Sequence, residues 1–216
     1  VIAALLLLAA VQQQASPPLR TDARPATWPD PVSDGQDERA TMDRGRRRIF
    51  EFGTCVARRS PEKAAATLRQ DFRSKSYASG MAQLVESNMD ACRTARRGRL
   101  RAANLLGAGA MAEQLLESSP VAVNVRLARA AALPAVASFS PSDAIAVCVV
   151  RSVPDEVAAL FGTEIETPAE SAAAAKLNFA MTRCSSPATR VETSVSGLRS
   201  MLATAAFRSA DAAEKK

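Results

Sequence analysis

CVARRSPEKAAATL (residues 55–68) and CVVRSVPDEVAALF (residues 148–161) follow one pattern. With a shift of 93 residues, Cys55 meets Cys148, Val56 meets Val149, Arg58 meets Arg151 and Pro61 meets Pro154. Glu62 meets Asp155, and Ala65 and Ala66 meet Ala158 and Ala159. A second cysteine follows each first one at nearly the same distance, Cys92 after Cys55 and Cys184 after Cys148. Further on, MAEQLL (residues 111–116) matches LATAAF (residues 202–207) with a shift of 91. Alanine-rich helices resemble one another by composition, but composition does not explain the Cys–Pro–Cys spacing. The pattern predicts two tandem copies of one unit, residues 39–120 and 140–210, joined by a connection over 121–139.

A unit that folded before it was copied carries its own staple. The expected bonds are therefore Cys55–Cys92 and Cys148–Cys184; the competing arrangement joins equivalent cysteines across the copies, as in Cys55–Cys148. Each bond within a unit closes a loop for which restricting the unfolded chain is worth roughly 3–4 kcal/mol. That is a large share of a domain's net stability of ~5–15 kcal/mol.

The chain holds 45 alanines against 9 aromatic residues. Alanine is the strongest helix former and allows close helix contacts, so the expected fold class is all-α. Helices are expected over about 44–58, 61–72, 77–93 and 105–117 in the first unit. Met81, Leu84, Val85, Asn88 and Met89 give the third of these the spacing of a buried stripe. Ser60 before Pro61 reads as a helix start, with the hydroxyl as cap. In the second unit Ser140, Pro141 and Asp143 open a helix through AIAVCVVRS, and Pro154 opens the next. Thr167, Pro168 and Glu170 open a third reaching Arg183, and a last helix spans about 191–210. Within the connection VAVNVRL alternates like a strand while ARAAAL is helical. Residues 211–216 are expected to fray.

Residues 1–15 begin with an apolar run the length of a signal-peptide core, shorter than the ~20 residues a spanning helix requires. They read as a signal peptide, with Ala15 the last residue removed. Pro17, Pro18, Pro25, Pro29 and Pro31 make residues 16–38 an expected disordered lead, its Trp28 in solvent. Four cysteines behind an export signal point to an oxidising compartment, the periplasm or the exterior.

LRSMLATAAF (residues 198–207) and GAGAMAEQLL (residues 107–116) resemble a recurring segment, LRGALAEALY, of uncharacterised small exported alphaproteobacterial proteins with tandem Cys-containing helical units. The resemblance covers about residues 50–207. It implies a helical fold and an exported compartment, and assigns no functional residue.

Histidine is absent, which removes the commonest general base, proton shuttle and metal ligand. Serine–histidine and cysteine–histidine nucleophile systems are closed, and the cysteines expected in disulfides leave none for zinc. Gly107 and Gly109 lack the third glycine of a phosphate loop and read as packing residues. Ser74, Lys75 and Ser76 lack the spacing of penicillin-binding serine enzymes. Glu164, Glu166, Glu170, Asp155 and Glu156 are the acids open to a hydrolase reading, in which two carboxyls face each other across a cleft. Acids at helix starts also offset the macrodipole, and that reading is favoured. No catalytic residue, metal or cofactor is expected.

Charge is uneven. Residues 39–101 hold 16 basic and 6 acidic side chains, while residues 102–216 hold 10 and 11. The basic groups cluster at Arg44, Arg46, Arg47 and Arg48 and at Arg93, Arg96, Arg97, Arg99 and Arg101. Such a face attracts anionic envelope components or an acidic protein. Few aromatics accompany the arginines, which argues against nucleic acid. The expectation is a non-enzymatic exported protein with this anion-binding face. The alternatives are an envelope hydrolase using carboxylates and a small apolar-ligand carrier, since Ala/Leu/Met bundles can hold a cavity.

Overall fold

Proline takes the first position of five helices, where its missing N–H costs no hydrogen bond and its fixed φ suits the first turn. The computed structural model describes residues 31–92, 105–186, 189 and 191–215, with side chains from residue 44 onward. The expected signal peptide, residues 16–30 of the lead, and Arg93, Arg96, Arg97, Arg99 and Arg101 lie outside the described residues.

The fold is all-α. Ten helices run in the order α1 Pro31–Arg59, α2 Pro61–Leu68, α3 Lys75–Cys92, α4 Leu105–Glu117, α5 Val123–Ala131, α6 Pro141–Ser152, α7 Pro154–Phe161, α8 Pro168–Lys176, α9 Asn178–Cys184 and α10 Val195–Glu214 among the described residues. None of the described helices is long and apolar enough to cross a membrane.

Helix α1 starts thirteen residues earlier than expected, at Pro31 rather than Arg44. Pro31 is the last proline before Pro61, and nothing after it interrupts a helix. The connection is helical as well: in α5, Arg126, Leu127 and Ala130 are buried while Val125 is exposed, so the alternation in VAVNVRL is not used. The helix expected to reach Arg183 is interrupted at Leu177, between α8 and α9. Helix α10 does not fray at residue 211. It continues to Glu214, tied by Arg69 to Asp211 at 2.6 Å and by Arg126 to Glu214 at 2.6 Å.

Ser60 does not cap α2; its hydroxyl pairs with the Asn88 amide instead. Ser140 does cap α6, accepting from the Asp143 N–H at 3.1 Å, and Thr167 caps α8, accepting from the Glu170 N–H at 3.2 Å.

Within the body spanning residues 39–216, α10 packs most extensively on α4 and also on α5 and α6. Its inner face carries the fully buried Leu202, Ala203, Ala205 and Ala206. At the α4–α10 crossing, a Cβ added to Gly109 would lie 2.6 Å from the Ser200 Cα and 2.5 Å from its Cβ. Ser200 stands 91 residues after Gly109, the shift that also matches Met111 to Leu202. In a helix interior Gly→Ala gains up to ~1 kcal/mol by propensity. Here the contact reverses the sign: Gly109→Ala is expected to destabilise by about 1–3 kcal/mol, as overpacking does. Urea unfolding checks this, and an unchanged or raised midpoint refutes the close contact.

Local geometry recurs at the 93-residue shift. Ser60 (φ −135, ψ 52) and Val153 (φ −140, ψ 62) each precede a helix-opening proline with nearly the same backbone. Their N–H groups bond the Val56 carbonyl at 2.9 Å and the Val149 carbonyl at 3.0 Å. Gln70 N–H bonds Thr67 O at 3.0 Å, and Thr163 N–H bonds Leu160 O at 3.2 Å. Ser74 accepts from the Tyr77 N–H at 3.1 Å, as Thr167 does from Glu170. The disulfides are Cys55–Cys92, which joins α1 to α3, and Cys148–Cys184, which joins α6 to α9.

Candidate ligand pocket and a buried ion network

The basic run on α1 is only partly outward-facing. Arg46 donates to both Glu170 oxygens, at 2.8 Å from Nη1 and 2.5 Å from Nη2, and Arg47 donates to Glu166 at 3.0 Å. These bonds tie α1 to α8 and its approach. Arg44 and Arg48 are exposed. Two of the four arginines of this run, Arg46 and Arg47, therefore engage carboxylates of the same chain.

The expected acids separate in the same way. Glu164, Asp155 and Glu156 are exposed, and Asp155 accepts from the Asn124 amide at 2.9 Å. Glu170 is buried in a network centred on Arg199 of α10, whose side chain is 3% exposed. Arg199 Nε and Nη2 bind the Glu113 carboxylate at 2.7–3.0 Å, and Nη2 also reaches the Phe161 carbonyl at 2.9 Å. Nη1 bonds the Thr163 carbonyl at 3.0 Å, the Thr163 hydroxyl at 3.1 Å and Glu170 at 3.2 Å. The Phe50 ring lies 5.7 Å from the guanidinium carbon.

Burial pushes Glu113 up to about 7, against the pull of Arg199. Burial also opposes the charge on Glu170, yet bonds from Arg46 and the Glu166 N–H, with the Arg46 and Arg199 charges, hold it below the usual carboxylate range. Glu166 sits at φ 63, in the left-handed region a non-glycine residue enters at a cost of roughly 1–2 kcal/mol. Its N–H bonds Glu170 at 2.9 Å, its Oε2 accepts from Arg47, and its Oε1 is buried without a partner among the described residues. Each arginine of the network meets a carboxylate.

A second polar centre borders open space. Arg208 of α10 donates to Asp143 of α6 and, at 2.9 Å, to the Ala137 carbonyl. Asp143 also accepts from the Phe139 N–H at 2.8 Å, so it is spent on backbone and guanidinium. Arg208 stacks on the Phe139 ring at 4.7 Å, and Phe139 meets Phe72 edge-on at 6.0 Å.

Beside this pair lies a pocket of about 320 Å³. Its apolar lining comes from Leu68, Phe72, Leu105, Met201 and the Tyr77 ring, on α2, the turn after it, α3, α4 and α10. Gln70, Ser142, Asp143, Thr204 and Arg208 are its polar members. Gln70 Oε1 is buried and has no hydrogen-bond partner among the described residues. Burial raises the Tyr77 hydroxyl above its usual pKa, which keeps it neutral. Phe72 and Leu105 are 42% and 43% exposed, so apolar surface continues outward from the lining.

The sequence marks Asp143 as part of a cap and Glu170 as a helix-start acid open to a hydrolase reading, but gives no site role to Arg199, Glu113, Arg208, Gln70 or Tyr77. Nothing in periodicity marks a buried charge. Among the described residues no group of three or more His, Cys, Asp or Glu is placed to hold a metal ion. Comparison with protein-family models, curated proteins and solved structures gives no match to this chain.

Proposed function

We propose that this is an exported, non-enzymatic binding protein that holds a small, largely apolar ligand in the pocket between α2, α3, α6 and α10, and that it consists of two copies of one disulfide-stapled unit. The observation that carries the binding reading is the pocket itself: about 320 Å³, mainly apolar, with a few convergent polar groups. An engineered apolar cavity of ~150 Å³ takes benzene, so this one suits a ligand on the order of a dozen non-hydrogen atoms.

Two disulfides and the apolar run at residues 1–11 support export, because oxidising compartments preserve such bonds. The matched shifts of 93 and 91 residues, and the backbone bonds that recur with the first of them, support the two-copy reading. An anionic partner is the weaker reading, since Glu170 and Glu166 already engage Arg46 and Arg47. A hydrolase finds less support still, with Glu170 and Glu166 bound to arginines and Glu164 exposed.

Fluorescence titration with 2-naphthol tests the pocket. Saturable one-to-one binding is expected, and Thr204→Trp, which fills the pocket, is expected to abolish it while leaving the helical circular dichroism unchanged. Binding that persists in folded Thr204→Trp refutes this location.

A further inference from the structure

Arg199 fills a site in one half whose counterpart in the other half is the pocket. Its guanidinium bonds Phe161 O, Thr163 O and Oγ1, Glu170 and Glu113. Moving back 93 residues, Phe161 becomes Leu68, Thr163 becomes Gln70 and Glu170 becomes Tyr77. With the shift of 91, Glu113 becomes Thr204, and Arg199 itself becomes Ala108. Leu68, Gln70, Tyr77 and Thr204 all line the pocket. Where one half places a long side chain, the other has a buried alanine, and the residues matching the guanidinium's partners line the pocket.

The exchanges define what can enter. Thr163 Oγ1 accepts from Arg199 at 3.1 Å, whereas Gln70 Oε1, on the matching residue, is buried and has no partner among the described residues. A buried acceptor left without a donor costs about 1–3 kcal/mol, which a ligand N–H or O–H recovers. The two carboxylates that neutralise Arg199 are replaced by the hydroxyls of Tyr77 and Thr204. The pocket's one carboxylate, Asp143, is paired with Arg208. Among the described residues no unbalanced charge lines the space, so a charged head group entering it would shed water without a counter-ion there.

Resting on the binding reading above, we infer that the ligand is a neutral amphiphile: an apolar body carrying a hydroxyl or similar uncharged donor that bonds Gln70 Oε1. Arginine supplies that donor from within the protein in the other half. Here it arrives with the ligand.

Three rigid fluorescent probes of matched shape separate the possibilities: 2-naphthol, naphthalene and 2-naphthoate, titrated into the whole protein. The expected order is 2-naphthol tightest, with naphthalene and 2-naphthoate each weaker by about tenfold, the equivalent of one hydrogen bond. Gln70→Leu is expected to weaken 2-naphthol by about tenfold and to leave naphthalene within about twofold. The inferred ligand class is overturned if 2-naphthoate matches 2-naphthol, or if Gln70→Leu leaves 2-naphthol unchanged. The pocket still stands in that case, provided Thr204→Trp abolishes binding. Absence of saturable binding by any of the three probes, or binding that survives in Thr204→Trp, overturns the pocket reading and the ligand class together.

Discussion

Arg199→Met is expected to cost about 3–5 kcal/mol at pH 8, the penalty for leaving a buried ion pair with one member. Met matches much of the arginine stem, so the loss comes from polar groups rather than volume. Glu113, 2% exposed, loses its bidentate partner, and the carbonyls of Phe161 and Thr163 lose their donors. Glu170 keeps Arg46 and the Glu166 N–H, which limits the damage on that side.

The pH dependence gives the cause a signature. A carboxyl whose folded pKa lies above its unfolded value adds stability that is complete below the unfolded value and lost as pH rises through the folded one. Burial places Glu113 in that class, at about 7. Removing Arg199 raises the folded value further, so the variant loses more stability than the parent between pH 5 and pH 8. Urea titrations at both pH values are expected to give a smaller difference between the two proteins at pH 5. A difference that stays flat or grows toward acid excludes Glu113 as the cause. Arg199→Met combined with Glu113→Gln is expected to recover part of the loss at pH 8, because no uncompensated charge is left buried.

That network also marks the boundary of what the sequence could reveal. The disulfide partners and the proline-opened helices are local features, written in the spacing of Cys55, Pro61 and Cys92 and of Cys148, Pro154 and Cys184. Arg199 sits in LRSML, where hydropathy marks it as a surface position, and Glu113 in MAEQLL reads the same way. Each is buried only because the other is. A pair 86 residues apart leaves no trace in any window that measures period. Residues 123–127 depart from the strand-like alternation for a related reason: the buried stripe of α5 includes the charged Arg126, which donates to the Leu116 carbonyl at 2.7 Å, while Val125 is exposed. Periodicity counts apolar residues, so it weighted the wrong ones and suggested a strand. The pocket escapes the sequence altogether, because its lining joins residues as far apart as Leu68 and Arg208, which no local window brings together.

Loss of both disulfides is the change with the largest expected effect. The closed loops span separations of 37 and 36 residues and do not overlap in sequence. The unfolded-chain model assigns each about 4 kcal/mol, and loops that do not interlock restrict the unfolded chain nearly independently. Together they rival the whole net stability of a typical domain, ~5–15 kcal/mol. Full reduction is therefore expected to remove most helical circular dichroism at 37 °C. The two bonds are not equally accessible. Cys92 is buried beside Cys55, whereas Cys148 and Cys184 are both part-exposed. Those two line a separate surface hollow beside Phe179, which is 72% exposed. A water-soluble dithiol, HS–R–SH, opens a bond by thiolate attack on one sulfur, and the rate follows access to that sulfur. Brief treatment followed by alkylation is expected to label Cys148 and Cys184 well before Cys55 and Cys92. The singly reduced species should remain folded with its urea midpoint lowered, because the remaining staple still restricts the first half. Equal labelling of all four, or earlier labelling of Cys55 and Cys92, means that opening of the first half governs reduction and that burial of Cys92 does not protect its bond.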